Sequence, residues 1–95
     1  MSDPQFVRND SKHRYEAVID GEAVGFSQYR DRGTVRDVFH TEVDTNWEGH
    51  GFATRIVEFA LADIRAQGLV LVPTCPVVAR YLEKHPEQKD LLEPR

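Results

Sequence analysis

Ninety-five residues are too few for a (β/α)8 barrel or a complete dinucleotide-binding sheet and suit a single domain spanning residues 1–95. A 40% apolar fraction with five Phe, three Tyr and one Trp is enough for a core and argues against disorder, while 29% charged residues make an ordinary surface. Twelve Lys and Arg against sixteen Asp and Glu leave a net charge of −4, which argues against a general grip on nucleic-acid phosphates.

From the N-terminus, Gln5 to Asn9 reads as a short strand, and Arg14 to Asp20 alternates Tyr15, Ala17 and Ile19 against Glu16, Val18 and Asp20, the period of a half-buried strand. Asp20-Gly21 is a strong hairpin signal, and Ala23 to Arg30 resumes the alternation with Val24 and Phe26 expected on one face. Asp31-Arg32-Gly33 makes the next turn, and Thr34 to Val43, rich in β-branched and aromatic residues, forms a fourth strand. The period then changes. From Gly51 to Gln67 the apolar residues Phe52, Ile56, Val57, Phe59, Ala60, Leu61 and Ile64 fall on a helical stripe, with Gly68 as its stop.

Leu69 to Val72 is a continuous apolar run, the pattern of a strand buried on both faces, expected parallel to the strand before the helix. Thr74-Cys75-Pro76 opens a second helix with proline at its first position, carrying the apolar residues Val77, Val78, Tyr81 and Leu82 as far as Pro86. A charged tail, Glu87 to Arg95, surrounds Leu91-Leu92 and has room for one more helical turn. The order is ββββαβα, an α/β (α+β) mixed sheet in which an antiparallel meander precedes one parallel βαβ unit, Val35 to Val72. Ligands of open α/β sheets gather at the carboxyl ends of parallel strands, which here means residues 40–54 and 73–76.

No apolar run approaches the roughly 18 residues of a membrane span, and Met1-Ser2-Asp3-Pro4 does not start a signal peptide, so a cytoplasmic protein without membrane contact is expected. The only cysteine, Cys75, can form neither an internal disulfide nor a zinc knuckle; it is either a small buried hydrophobe or a reactive thiol. His13 and His85 have no partners at metal-ligand spacing, and no metal is expected.

Trp47-Glu48-Gly49-His50-Gly51-Phe52-Ala53-Thr54 joins strand to helix through a Gly-x-Gly turn. Glycines let the backbone bend and a ligand approach, and a helix N-terminus attracts an anion. A tight turn alone would need the same glycines. A P-loop is excluded because Phe52-Ala53 follows Gly51 where Lys-Ser or Lys-Thr would be needed, and the dinucleotide fingerprint lacks its acidic residue at Val72-Pro73.

The run from Glu48 to Ala53 resembles the acetyl-CoA motif of the GNAT (general N-acetyltransferase) superfamily: Arg or Gln, two residues, Gly, one residue, then Gly or Ala. Gly51 and Ala53 match its last two fixed places, and Glu48 stands where Arg or Gln is usual. With His40 to Val43 before the turn, and Pro73 to Pro76, Tyr81 and His85-Pro86 after it, the chain is similar to a short, cysteine-bearing GNAT branch over roughly Tyr15 to Leu92. The resemblance implies a minimal GNAT-like fold and acetyl-CoA (coenzyme A) wedged where the fourth and fifth strands part. It places the pantetheine along Thr41, Glu42 and Val43, the pyrophosphate on Glu48, Gly49, His50, Gly51, Phe52, Ala53 and Thr54, and the acetyl group toward Cys75.

Pro76 biases Cys75 to an extended helix-capping position, where a thiolate is favoured by the helix dipole. Cys75 is therefore a candidate acetyl acceptor or acid toward the CoA thiolate. His40 and Glu42, two apart on a strand, share a face and are candidate bases for an amine, or else a packed histidine and a solvated carboxylate. His50 either shapes the turn or meets a phosphate, and Tyr81 either faces the cofactor or joins the core. The function implied is acetyl transfer to an amine, with a protein or peptide lysine as one acceptor; the alternative is a non-catalytic CoA-binding module. Only Asp10-Ser11-Lys12-His13 separate the first two strands, where longer members carry the helices that cover the acceptor, so an open acceptor side is expected. A monomer or weak homodimer fits the exposed elements.

Overall fold

A computed structural model describes residues 3–92; Met1, Ser2 and the end of the charged tail from Glu93 to Arg95 lie outside the described residues. Strands β1 (Gln5–Asn9), β2 (Arg14–Ile19), β3 (Glu22–Arg32), β4 (Val35–Val43) and β5 (Val70–Val72) form one sheet in the order β1-β2-β3-β4-β5. The first three pairings are antiparallel and the β4–β5 pairing is parallel, as the element order requires. Helix α1 (Phe52–Ala66) crosses from β4 to β5, and α2 (Pro76–Lys84) follows β5. Short 3₁₀ helices, Thr45–Trp47 and Pro86–Leu91, flank them.

One face of the sheet packs on the helices. Tyr15, Ala17 and Ile19 of β2 and Val38 of β4 meet Ile56, Val57, Ala60, Leu61 and Ile64 of α1 and Val78 and Leu82 of α2, all buried. Gly25 also lies on this face, because a Cβ there would stand 3.1 Å from Ile56 Cδ1 and 3.2 Å from the Glu42 carbonyl. The other face carries cross-strand neighbours: Arg14 lies over the Phe26 ring, with its centroid 4.5 Å away, and Phe26 meets His40.

Two bulges modify the expected alternation. Val24 is an extra residue between the Ala17–Gly25 and Val18–Ala23 pairs, so it is buried while Phe26 points to the opposite face. The expectation that Val24 and Phe26 share a face is thus corrected, since each extra residue shifts the pleat by one. Phe39 is a second extra residue, between the Gln28–His40 and Tyr29–Val38 pairs. At the C-terminal end, Leu91 is buried and Leu92 bridges to Leu71 in parallel, so chain lies against the free edge of β5 rather than leaving it open.

Candidate active site

β4 and β5 share only the pairs Val35–Val70, Arg36–Leu71 and Asp37–Val72. Beyond them the Cys75 N–H donates to the Val38 carbonyl at 2.9 Å, and Thr74 Oγ1 donates to Asp37 Oδ1 at 2.5 Å. The Phe39 bulge follows on β4, while the chain after Cys75 enters α2. Among the described residues, the carboxyl half of β4, Phe39 to Val43, has no strand partner on its β5 side.

Cys75 is the N-cap of α2, with an extended backbone (φ −68°, ψ 128°) and Pro76 as the first helical residue. Its thiol donates to Thr41 Oγ1 at 3.3 Å, and the Thr41 hydroxyl shares a 2.7 Å hydrogen bond with Ser27 Oγ. Cys75 is 2% and Ser27 0% exposed, so the thiol is internal and faces β4. Ser27 belongs to this group although the sequence did not single it out; its pairing with Thr41 across β3 and β4 depends on the register.

His40 and Glu42 leave β4 on the opposite face from Thr41, as strand alternation requires. Both are exposed, and His40 Nε2 lies 3.2 Å from Glu42 Oε1. They look out from the helix-free side of the sheet, next to Phe26 and Gln28.

The glycine turn is built by backbone angle. Gly49 (φ 84°) and Gly51 (φ 76°) are left-handed, and a Cβ at either would meet nothing within 4 Å, so conformation rather than space demands glycine. Gly51 caps α1 without a side-chain hydrogen bond, and the first helical bond is donated by Arg55 to the Gly51 carbonyl. The N–H groups of Phe52, Ala53 and Thr54 therefore precede the intrahelical ladder and are suited to an anion. Trp47, His50 and Phe52 form an aromatic trio with centroids 5.7–5.8 Å apart, so the His50 ring packs within the turn, while Glu48 is exposed.

Between α1 and α2 runs a groove of 390 Å³ lined by Ala53, Thr54 and Val57 on one wall and Val77, Arg80, Tyr81, Lys84 and His85 on the other. The Tyr81 ring stacks on His85 with centroids 4.2 Å apart, and its hydroxyl donates to Glu58 Oε2 at 3.3 Å. Burial, then the Glu58 charge, raises the Tyr81 pKa. The apolar residues of α2 thus divide: Val78 and Leu82 enter the core, whereas Val77 and Tyr81 line the groove. The spacing of 77, 80, 81 and 84 was the available signal for the basic wall.

A second polar cluster lies outside the groove. Arg36, 6% exposed, donates to both carboxylate oxygens of Asp31 at 2.8 Å and to Tyr15 Oη at 2.9 Å, with its guanidinium 4.0 Å from the Tyr29 centroid. Asp63 of α1 accepts from Tyr15 Oη at 2.7 Å and from Arg8 Nη1 at 2.8 Å. Burial works to raise the Asp63 pKa, but the Tyr15 and Arg8 hydrogen bonds outweigh it and the net shift is downward. The Tyr15 pKa is raised by burial and then by Asp63. This cluster joins helix to sheet.

The family comparison agrees with this architecture. A family model described as GCN5-related N-acetyl-transferase matches residues 14–91. The chain belongs to the GCN5-related N-acetyltransferase family. This GNAT chain is similar in fold to a GCN5-like protein from Staphylococcus aureus solved by NMR, with 18% identity, TM-score 0.73, and coverage of 100% of this chain and 93% of that one. It is also similar to the ribosomal-protein-S18-alanine N-acetyltransferase of Escherichia coli, at 16% identity and TM-score 0.60 over 77% of this chain and 50% of that one. An aminoglycoside acetyltransferase from an uncultured soil metagenomic sample gives 18% identity and TM-score 0.52 over 86% of this chain and 59% of that one. At these identities the likeness is one of fold. The minimal GNAT-like order read from the sequence is the order found. No helix among the described residues is long and apolar enough to cross a membrane.

Proposed function

We propose that this GNAT chain is an acetyl-CoA-dependent N-acetyltransferase whose amine acceptor, with protein or peptide lysine as the leading class, approaches the helix-free face of the sheet. The carrying observation is the opening beyond Asp37, where β4 loses β5 and is bordered by the uncapped start of α1 and by Cys75 held against Thr41. The donor set suits coenzyme A: turn N–H groups for a pyrophosphate, unpaired strand backbone for a pantetheine amide, and a groove for the remainder. When bound, the cofactor supplies an acetyl thioester.

In this reading Gly49, His50, Gly51, Phe52, Ala53 and Thr54 hold the pyrophosphate, with Glu48 at the rim, and Thr41, Glu42 and Val43 hold the pantetheine through backbone. Tyr81 walls the groove. Glu42 takes the acceptor amine's proton, directly or through a water, and its neighbour His40 is the alternative base. Cys75 gives its thiol proton to the departing sulfur. A C–N bond forms as the C–S bond breaks; one proton leaves the amine for the base, and one passes from Cys75 to CoA. Proton exchange with solvent resets both groups.

The proposal includes a cytoplasmic single domain, monomeric or weakly dimeric, because a lone cysteine suits a reducing compartment and a net charge of −4 disfavours nucleic acid and anionic membranes. The test is product analysis with acetyl-CoA and a lysine peptide, comparing the native chain with Cys75→Ala. Acetylated peptide is expected, with the variant slowed at least about tenfold at unchanged CoA affinity. Bound, intact acetyl-CoA without product would identify a binding module, free acetate a hydrolase, and undiminished transfer by C75A would remove Cys75 from the mechanism.

A further inference from the structure

Arg80 and Lys84 stand four residues apart on α2, both line the interhelical groove, and both are exposed. Neither forms an ion pair with any described residue, whereas Arg8, Arg14, Arg30, Arg36 and Arg65 each hold a carboxylate. Of the carboxylates around this wall, Glu58 accepts from the Tyr81 hydroxyl and Glu87 lies 3.4 Å from His85, while Glu83, between Arg80 and Lys84 on α2, is exposed. The opposite wall begins with Ala53 and Thr54, the first turn of α1. Two cations without an ion pair on one wall and backbone donors of the first helical turn on the other give the groove two anion-attracting walls.

The stripe from Val77 to Lys84 spans about 10 Å at 1.5 Å per residue, and it starts beside Cys75. A ligand whose pyrophosphate lies on the turn beside Ala53 and Thr54 can set a second anionic group against the facing α2 wall. We propose that Arg80 and Lys84 form a clamp for the ribose 3′-phosphate of coenzyme A and make the protein selective for CoA over its 3′-dephospho form. This rests on the CoA reading above and extends it to a specificity not required by acetyl transfer, since the 3′-phosphate takes no part in the chemistry. The phosphate is the last charged group of the ligand that the glycine turn does not account for.

The test is isothermal titration of the native chain and of the R80Q/K84Q double variant with CoA and with 3′-dephospho-CoA. The native chain is expected to bind CoA roughly tenfold tighter than dephospho-CoA, and the double variant to lose this preference while retaining its affinity for dephospho-CoA. Retained dephospho-CoA binding also reports that the variant is folded. Added salt is expected to erode the preference in the native chain, because both cations are exposed. Equal binding of the two ligands by the native chain, or a preference that survives in the variant, overturns the clamp and leaves the CoA reading intact. Failure of the native chain to bind either ligand overturns the CoA reading and the clamp with it.

Discussion

Replacing Asp63 by alanine removes the carboxylate that ties α1 to β1 and β2. The Tyr15 hydroxyl donates to it at 2.7 Å, and Tyr15 is 0% exposed, so this part-buried bond to a charged acceptor contributes about 1.5–3 kcal/mol. The Arg8 pair is part exposed, with side-chain exposures of 30% and 18%, and adds about 0.5–1 kcal/mol. The Gln67 bond, at 2.7 Å on the surface of the same helix, adds about 0.2–0.5 kcal/mol. Together these give about 2–4.5 kcal/mol, which lowers the melting temperature of a chain this size by about 10–35 °C.

Calorimetry at pH 7 measures the effect, and Asp63→Asn, which keeps an acceptor for Tyr15, is expected to lose about half as much. The pH dependence has a definite sign. The Asp63 pKa is depressed in the folded state, so its stabilisation is complete above the unfolded carboxylate value, about 3.9, and is lost as pH falls through the lower folded value. The gap between native and D63A melting temperatures therefore narrows only in acid. A D63A protein melting within about 3 °C of the native chain at pH 7 would show that the cluster does not hold helix to sheet.

Gly51→Ala forces a side chain into a left-handed backbone with no steric relief to offer, and is expected to cost about 1–2 kcal/mol in urea unfolding, with Gly51→Asn costing less. Equal losses for the two would show that the backbone angle is not the reason for glycine. Glu42→Gln is expected to lower kcat/KM for acetyl transfer about a hundredfold with CoA affinity unchanged, because it removes the proposed base and leaves the strand backbone in place. A variant with native kcat/KM would pass the role of base to His40.

Most of the architecture was legible because it is encoded locally. Asp20-Gly21 and Asp31-Arg32-Gly33 set the two hairpins, the α1 stripe has an unbroken helical period, and Pro76 marks the start of α2. The Gly-x-Gly turn was equally visible, since its two left-handed residues admit few alternatives. What escaped depends on residues far apart in the chain. The bulges at Val24 and Phe39 are set by cross-strand registration, and only after it do Ser27 and Thr41 become neighbours. Arg36 sits among the apolar residues of β4 because Tyr15, Tyr29 and Asp31 surround it, none of which marks the position in a linear pattern. Arg80 and Lys84 gain a role only once α1 supplies the opposite wall of a groove.

The three-rung parallel ladder between β4 and β5 has a dynamic consequence. Each antiparallel pairing joins strands adjacent in sequence, but this ladder closes only after the whole α1 crossover has been laid down, which makes it the least local pairing in the sheet. The proposed cofactor cleft begins where those few rungs end, so its two sides are held together by the shortest ladder of the sheet. Amide exchange is expected to be faster in β5 than at the centre of β3, and a ligand spanning both sides will slow it by adding a link that the backbone lacks. On the proposed reading, cofactor occupancy and closure of the sheet become one equilibrium, with the empty protein the looser one.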